Sequence, residues 1–331
     1  MMRVLFTGGS SFTGAWFARA LARAGCSVLL LGRREDPARD PEERERLAAL
    51  VPHLRRIDGV PFGCEAMLRV IEQEPPFDLL CLHGATVGDH RAPGFDALAA
   101  ATADTHGLDR VLDLLAARGL RAVLHTGSLF EADEGAGEKP LRPFSPYGLA
   151  KTLTWQVVRF ACERRSLTLG KFVIGHPFGP YQKPGLCRSL LEAWLAGQPA
   201  VLRQPRLLRD HLPVELLAEA YARFAVSLVS ARGTVRLVPT CYAEPLQVFA
   251  ERLAREMQPR LGRPCRFIAA DPPEPSSEPR IRFGLDPASV LVPGFDYEGA
   301  WDRLAAWAIE RYGNARAMHG ATRSTGAAVR A

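Results

Sequence analysis

The sequence predicts an α/β fold, a doubly wound parallel sheet with a smaller C-terminal region, and three observations carry that reading. Short, almost wholly apolar runs alternate with longer helical patterns through the first half of the chain. The first apolar run passes into a glycine-rich turn that opens a helix, and no internal repeat breaks the alternation. Strands apolar on both faces belong to a parallel sheet covered by helices on both sides. With 331 residues, 47% of them hydrophobic, the chain has material for one large core or two smaller ones.

In chain order, RVLF (Arg3 to Phe6) is the first strand, followed by a helix from about Gly14 to Ala24 and a second strand SVLLL (Ser27 to Leu31). The stretch DPEERERLAAL reads as a helix. Strands follow at FDLLCLH (Phe77 to His83) and RAVLHT (Arg121 to Thr126), with one helix between them across roughly Phe95 to Ala117. After Lys151 the pattern loosens. KFVIG continues the sheet, then Pro- and Gly-rich stretches separate short helices such as LLEAWLAG and VELLAEAYARFA, and a helix near YEGAWDRLAAWAIERY closes the ordered part. The expected division is a dinucleotide-binding domain over 1–170, a substrate-binding region over 171–312 partly interleaved with the sheet, and a disordered tail over 313–331.

The formal charge of +6 comes from 42 basic and 36 acidic residues, and the tail contributes Arg316, Arg323 and Arg330 without an acid. Arg203, Arg206 and Arg209 recur every third residue, which suits a phosphate subsite better than a duplex-binding face. Nucleic acid is not an expected partner. Seven scattered cysteines, none in a CxxC pair, argue against a zinc site or a disulfide framework and fit a reduced compartment. No run approaches the roughly 18 apolar residues of a membrane helix. A cytoplasmic location is therefore expected, with no metal.

Three motifs carry chemistry. In TGGSSFTG, Gly8 allows a sharp turn, Gly14 allows close helix–strand packing, and the helix amides face an anion. Ser11 replaces the middle glycine of the GxxGxxG frame, putting a side chain where a pyrophosphate should approach. The second strand ends LLLGRRED, so Arg33 and Arg34 stand where NAD-binding proteins carry an acid, and two guanidiniums suit the 2′-phosphate of NADP. Glu35 could serve NAD instead if the strand ends later. In SPYGLAK, Tyr147 and Lys151 share one helix face, where an ammonium can lower the phenol from about 10 towards working pH. Such a tyrosine exchanges a hydroxyl proton while a hydride moves, and Thr126 of the preceding strand could bond the same oxygen. His83, His125 and His176, at strand ends, are read as hydrogen-bonded structural residues, and Trp301, Trp307 and Tyr312 as core and interface.

Together with FDLLCLHGA, HTGSLF, HPFGPYQ and LLRDHLPVELLAEAY, these segments make residues 1 to 312 resemble the extended short-chain dehydrogenase/reductase family, specifically its NAD(P)-dependent nucleotide-sugar epimerase/dehydratase group, with a Rossmann-type sheet. The resemblance implies catalytic roles for Thr126, Tyr147 and Lys151. It implies that Gly8, Ser11, Phe12 and Gly14 line the pyrophosphate turn, that Asp58 contacts adenine, that Gly84 and Ala85 run beside the cofactor ribose, and that Lys151 also holds the nicotinamide ribose. Arg209, with help from Arg203 or Arg206, would bind the substrate's diphosphate. His176 stands where the family often has a sugar-nucleotide-binding Asn. A homodimer through the tyrosine-bearing helix and its neighbour is also implied.

Dehydratases of that group carry an Asp-Glu pair directly after the Thr, where this chain has Gly127 and Ser128. The expectation is therefore a reductase of a 4-keto nucleotide sugar using NADP, with NAD possible. A 4-epimerase with bound NAD is the alternative; a general carbonyl reductase and a non-enzymatic dinucleotide sensor are the remaining ones.

Overall fold

The computed structural model describes residues 1–36, 40–87, 94–270 and 278–313. The tail expected over 313–331 lies outside the described residues from 314 onward. The chain divides into two compact units: Met1–Pro177, Arg209–Ala243 and Ser277–Gly294 form the first, and Phe178–Leu208, Glu244–Ser276 and Phe295–Ala331 the second.

The first unit starts with β1 (Arg3–Thr7), α1 (Phe12–Arg23), β2 (Ser27–Leu31), α2 (Pro41–Leu50), β3 (Arg55–Ile57) and α3 (Glu65–Gln73). It continues through β4 (Leu79–Leu82), α4 (Ala97–Asp104), α5 (Leu108–Ala117), β5 (Ala122–Ser128), β6 (Ala136–Gly137), α6 (Pro146–Glu163) and β7 (Thr168–Ile174). A strand over Thr234–Leu237 completes a seven-stranded sheet, which it opens on one edge; inward from it run β7, β5, β4, β1, β2 and β3. All pairs are parallel, with Thr7 beside Leu31 and Leu82, and Thr126 beside Phe172. The winding reverses between β1 and β4, so their C-terminal ends flank a topological switch point, where such folds bind ligands.

Local signals explain the boundaries. Asp40 caps α2 by accepting from the amides of Glu42 and Glu43, with Pro41 in the first turn; Ser145 and Pro146 do the same for α6. Apolar residues of α5 at Leu108, Val111, Leu112 and Leu115 bury one stripe against Ile71, Leu80 and Val123. The other sheet face is covered by α1 and the helix Val214–Leu228, where the Phe17 and Tyr221 rings stack at 4.2 Å.

Two expectations are corrected here. The single helix over Phe95 to Ala117 is two, because Gly107 adopts left-handed φ (63°) where the chain crosses the backbone of Gly63. The division at residue 170 falls inside β7, which belongs wholly to the sheet.

The second unit contains helices Leu186–Leu195, Leu246–Leu261 and Tyr297–Tyr312 and a parallel strand pair, Ala200–Arg203 with Phe267–Ala270. Phe178 stacks on Trp301 at 5.0 Å, and the Trp194 indole donates to the Arg266 carbonyl at 2.8 Å. No helix among the described residues is long and apolar enough to cross a membrane.

Candidate active site

The turn after β1 is built for close backbone approach. Gly8 has φ +76°, and a side chain there would lie 2.6 Å from the amide nitrogen of Gly84, past the end of β4. The Thr7 hydroxyl ties the two strand ends by donating to the Cys81 carbonyl and accepting from the amides of His83 and Gly84. A side chain at Gly14 would collide with the Gly8 carbonyl, so α1 packs against the turn only with glycine there. Ser11 is the N-cap of α1: its Oγ accepts from the Gly14 amide and donates to the Gly8 carbonyl, both at 3.0 Å. The serine is folded back on the helix start, and Phe12, buried, opens the helix. The cradle and the positive end of α1 fit a dinucleotide pyrophosphate.

At the next strand end, the Asp58 carboxylate lies against Gly32, where any side chain would collide with it, and is held by Arg56 at 2.7 Å. Arg33 is exposed. Arg34 does not stand free for a 2′-phosphate: it pairs with Glu43 of α2 at 3.2 Å. Sequence reasoning missed Arg46, which is only 3% exposed, donates to the Ser10 carbonyl at 3.3 Å, and has an Nε without a partner. The signal for it was an arginine beside Leu47 and Leu50 on the buried side of a mostly acidic helix.

The three expected catalytic residues converge. Thr126 lies within β5, which is buried from Ala122 to Ser128, and Tyr147 and Lys151 come from the first turns of α6. Gly148 lets α6 approach, because a side chain there would strike the Phe130 carbonyl. The buried Lys151 ammonium donates to the Thr126 carbonyl at 2.6 Å. The expected depression of the phenol is not found: burial, then the negative charges of Glu131 and Asp104, push Tyr147 up. Burial likewise pushes Lys151 down, against the pull of Glu131 and Asp104.

Asp104, another residue the sequence reading did not single out, accepts from both the amide and the hydroxyl of Thr86 at 2.8 Å, just beyond Gly84 and Ala85. Behind β5 lies an unforeseen ionic cluster. Lys171 of β7 reaches Glu131 at 2.5 Å and Glu134 at 2.6 Å, with all three side chains at most 4% exposed. Glu131 also accepts from the Ser128 amide at 2.7 Å, and Lys171 stands 4.4 Å above the Trp155 ring. Arg282, 1% exposed, donates to the backbone carbonyls of Glu131, Glu134 and Arg142.

Of the three histidines, His83 is hydrogen-bonded as expected: Nδ1 lies 3.0 Å from Thr126 Oγ1, and Nε2 lies 3.1 Å from Ser11 Oγ and 3.2 Å from Thr13 Oγ1. His125 is not: both its ring nitrogens are buried without partners, and burial first, then nearby cations, holds it well below the usual range and therefore neutral. His176 packs 5.7 Å from Phe130 and 5.5 Å from His211, ring to ring.

Arg209 is 2% exposed, and its charge is met by Glu278 at 2.8 Å, so a diphosphate would have to displace that carboxylate. Arg203 and Arg206 are exposed and belong to the second unit.

A glycine turn at the sheet's switch point, facing a tyrosine and a lysine one helical turn apart, defines a dinucleotide-dependent enzyme of the extended short-chain dehydrogenase/reductase type. The chain belongs to the NAD dependent epimerase/dehydratase family, whose model matches residues 4–233. A search of curated proteins found no match.

Among solved structures, the chain is similar to a mutant UDP-glucuronic acid 4-epimerase from Bacillus cereus in complex with NAD, with TM-score 0.73 and 15% identity over 94% of this chain and 100% of that one. It is similar to a UDP-glucose-4-epimerase from Stenotrophomonas maltophila with bound NAD, with TM-score 0.72 and 16% identity over 97% and 100%. A third is the dTDP-glucose 4,6-dehydratase DesIV from Streptomyces venezuelae with NAD, with TM-score 0.68 and 19% identity over 94% and 98%. At these identities the likeness is one of fold.

Proposed function

We propose that the protein is a nucleotide-sugar 4-epimerase with a bound nicotinamide cofactor. The observation that carries this reading is a Thr126–Tyr147–Lys151 site whose neighbouring carboxylates, among the described residues, are already engaged, Asp104 by the amide and hydroxyl of Thr86. The carboxylate nearest after Thr126, that of Glu131, is tied to Lys171 and the Ser128 amide and is not free to remove water from a sugar. That speaks against a dehydratase. The 4-keto reductase expected from Arg33 and Arg34 gives way to the epimerase. Arg34 is paired with Glu43, and the similar structures described above are 4-epimerases and a dehydratase, with no reductase among them.

Gly8, Ser11, Phe12 and Gly14 would hold the cofactor's pyrophosphate, Asp58 its adenine and Gly84, Ala85 and Lys151 its riboses; when bound, the nicotinamide would supply reversible hydride chemistry at C4. Tyr147 is the proposed proton-exchange group for the C4 hydroxyl, the positive charge of a bound oxidised nicotinamide being what would offset the burial and carboxylates that raise its phenol; Thr126 bonds the same oxygen, and Lys151 fixes the helix against the strand. His176 and Arg209 are the proposed substrate contacts in this unit. NAD is the favoured cofactor; NADP would rest on Arg33 together with Arg46. Protein purified without added cofactor should release close to one NAD per chain on denaturation and interconvert UDP-hexose C4 epimers. An empty site that takes up NADPH in preference to NADH would return the reductase to favour.

A homodimer is part of the proposal. Leu149 (43% exposed), Val157 (46%) and Phe160 (62%) lie within one stripe of α6, and Leu98 (69%) is on α4, which packs against it. Uncovered apolar side chains at this density favour burial against a second copy. Phe160→Glu should convert a dimer into a monomer in sedimentation velocity at micromolar concentration; a wild-type monomer would remove the proposal.

A further inference from the structure

We propose that His83 is a positioning residue that makes the Thr126 hydroxyl an obligatory donor to the reacting substrate oxygen. The inference rests on the epimerase reading for what that oxygen is, but its geometry stands by itself. His83 is the first residue after β4, about 9% exposed. Its amide is anchored on Thr7, and its ring is packed against Phe6 at 5.7 Å and edge-on to Phe17 at 5.2 Å. The ring therefore spans the switch point, with one nitrogen on the strand that carries Thr126 and the other on the turn that starts α1.

A neutral imidazole has one N–H and one lone pair, so its two sides cannot behave alike. If Nδ1 carries the hydrogen, it donates to Thr126 Oγ1, and the hydroxyl proton of Thr126 is released from the ring to the substrate or to the neighbouring Tyr221 hydroxyl. If Nε2 carries it, Thr126 must donate back to Nδ1 and offers the substrate only lone pairs. The surroundings favour the first arrangement. Nε2 faces two hydroxyls, Ser11 at 3.1 Å and Thr13 at 3.2 Å, either of which can give it a proton. With Ser11 donating to the Gly8 carbonyl, Thr13 is the natural donor.

The chemistry needs the same arrangement. While the C4 hydroxyl proton passes to Tyr147 and the hydrogen on C4 leaves as hydride, the C4 oxygen goes from hydroxyl to carbonyl and gains electron density in the transition state; a donor from Thr126 stabilises it throughout. No proton crosses His83 in this scheme, and its tautomer stays fixed.

The decisive measurement is the nitrogen-15 spectrum of the imidazole in protein labelled at histidine, with the His83 signals assigned by comparison with His83→Asn. The expected result is a protonated Nδ1 and a bare Nε2, with NAD added to saturation; the reverse tautomer would overturn the proposal whatever the enzyme acts on. Kinetics give a second arm, read only if wild type interconverts UDP-hexoses, so that failure of the epimerase reading shows itself separately. His83→Leu should lower kcat about tenfold or more with KM within about twofold and NAD content unchanged. His83→Asn, whose amide can donate from the Nδ1 position, should recover most of the loss. Equal losses in the two folded variants would mean that the donor to Thr126 is not what His83 supplies.

Discussion

Tyr147→Phe is expected to lower turnover about a hundredfold or more, the scale of removing one positioned proton-transfer group. The substitution deletes a single oxygen. The ring keeps its edge-on contact with Phe130 at 6.3 Å, and α6 keeps its cap on Ser145 and its lysine bond to the Thr126 carbonyl. The cofactor cradle, made by the turn after β1 and the ends of β2 and β4, does not include the phenol. Cofactor content measured after denaturation should therefore equal that of wild type while kcat falls. Turnover within a few-fold of wild type would remove Tyr147 from proton transfer. Loss of cofactor together with activity would mean that the residue is part of the cradle instead.

Lys171→Met is expected to be the most destabilising single change. The ammonium is shared by two carboxylates, Glu131 and Glu134, in a cluster with almost no exposure. Breaking a buried pair by deleting one partner costs about 3–5 kcal/mol: Glu131 would be left buried without a counterion, and Glu134 with only the half-exposed Arg236 at 3.5 Å. The pH dependence fixes the cause. Burial raises Glu134 above the ordinary carboxylate range, against the pull of Lys171. A carboxyl raised in the fold contributes stability below its unfolded value and loses it as pH rises through its folded value. Without the ammonium that loss grows, so the gap between wild type and variant in urea midpoint should be wider at pH 8 than at pH 5. A gap that is the same at both, or a variant as stable as wild type, would show that the carboxylates do not depend on Lys171.

Much of the first unit was legible in sequence because its signals are local. The short, almost wholly apolar strand runs, the glycine turn and the Tyr147–Lys151 spacing each act within a few residues, and each stands where the pattern puts it. The break at Gly107 was not legible, since its cause is the backbone of Gly63, more than forty residues earlier. Arg46, Asp104 and Lys171 were missed for a related reason. Each reads as an ordinary surface charge in its own segment, and only the winding of the sheet turns it inward. The tuning of Tyr147 was misjudged because spacing gives the nearest cation but neither the burial that raises the phenol most nor the carboxylates that tertiary packing adds from the loop after β5 and from α4.

The Arg282 guanidinium has a consequence for how the protein is made. It supplies hydrogens to the carbonyls of Glu131, Glu134 and Arg142, groups synthesised 140 to 151 residues before it. A ribosome that has finished β1 to β7 has delivered Thr126, Tyr147 and Lys151, yet the loop between them is still without its donor and the sheet without its last strand at Thr234–Leu237. The nascent chain can assemble the β1-to-β7 core early, whereas the segment joining the strand of Thr126 to the helix of Tyr147 must wait until Arg282 has been made. Pairings this distant in sequence close slowly, so the proposed site is completed after its own residues are in place, and a gene truncated after β7 would encode the glycine turn without a finished Thr126–Tyr147 segment.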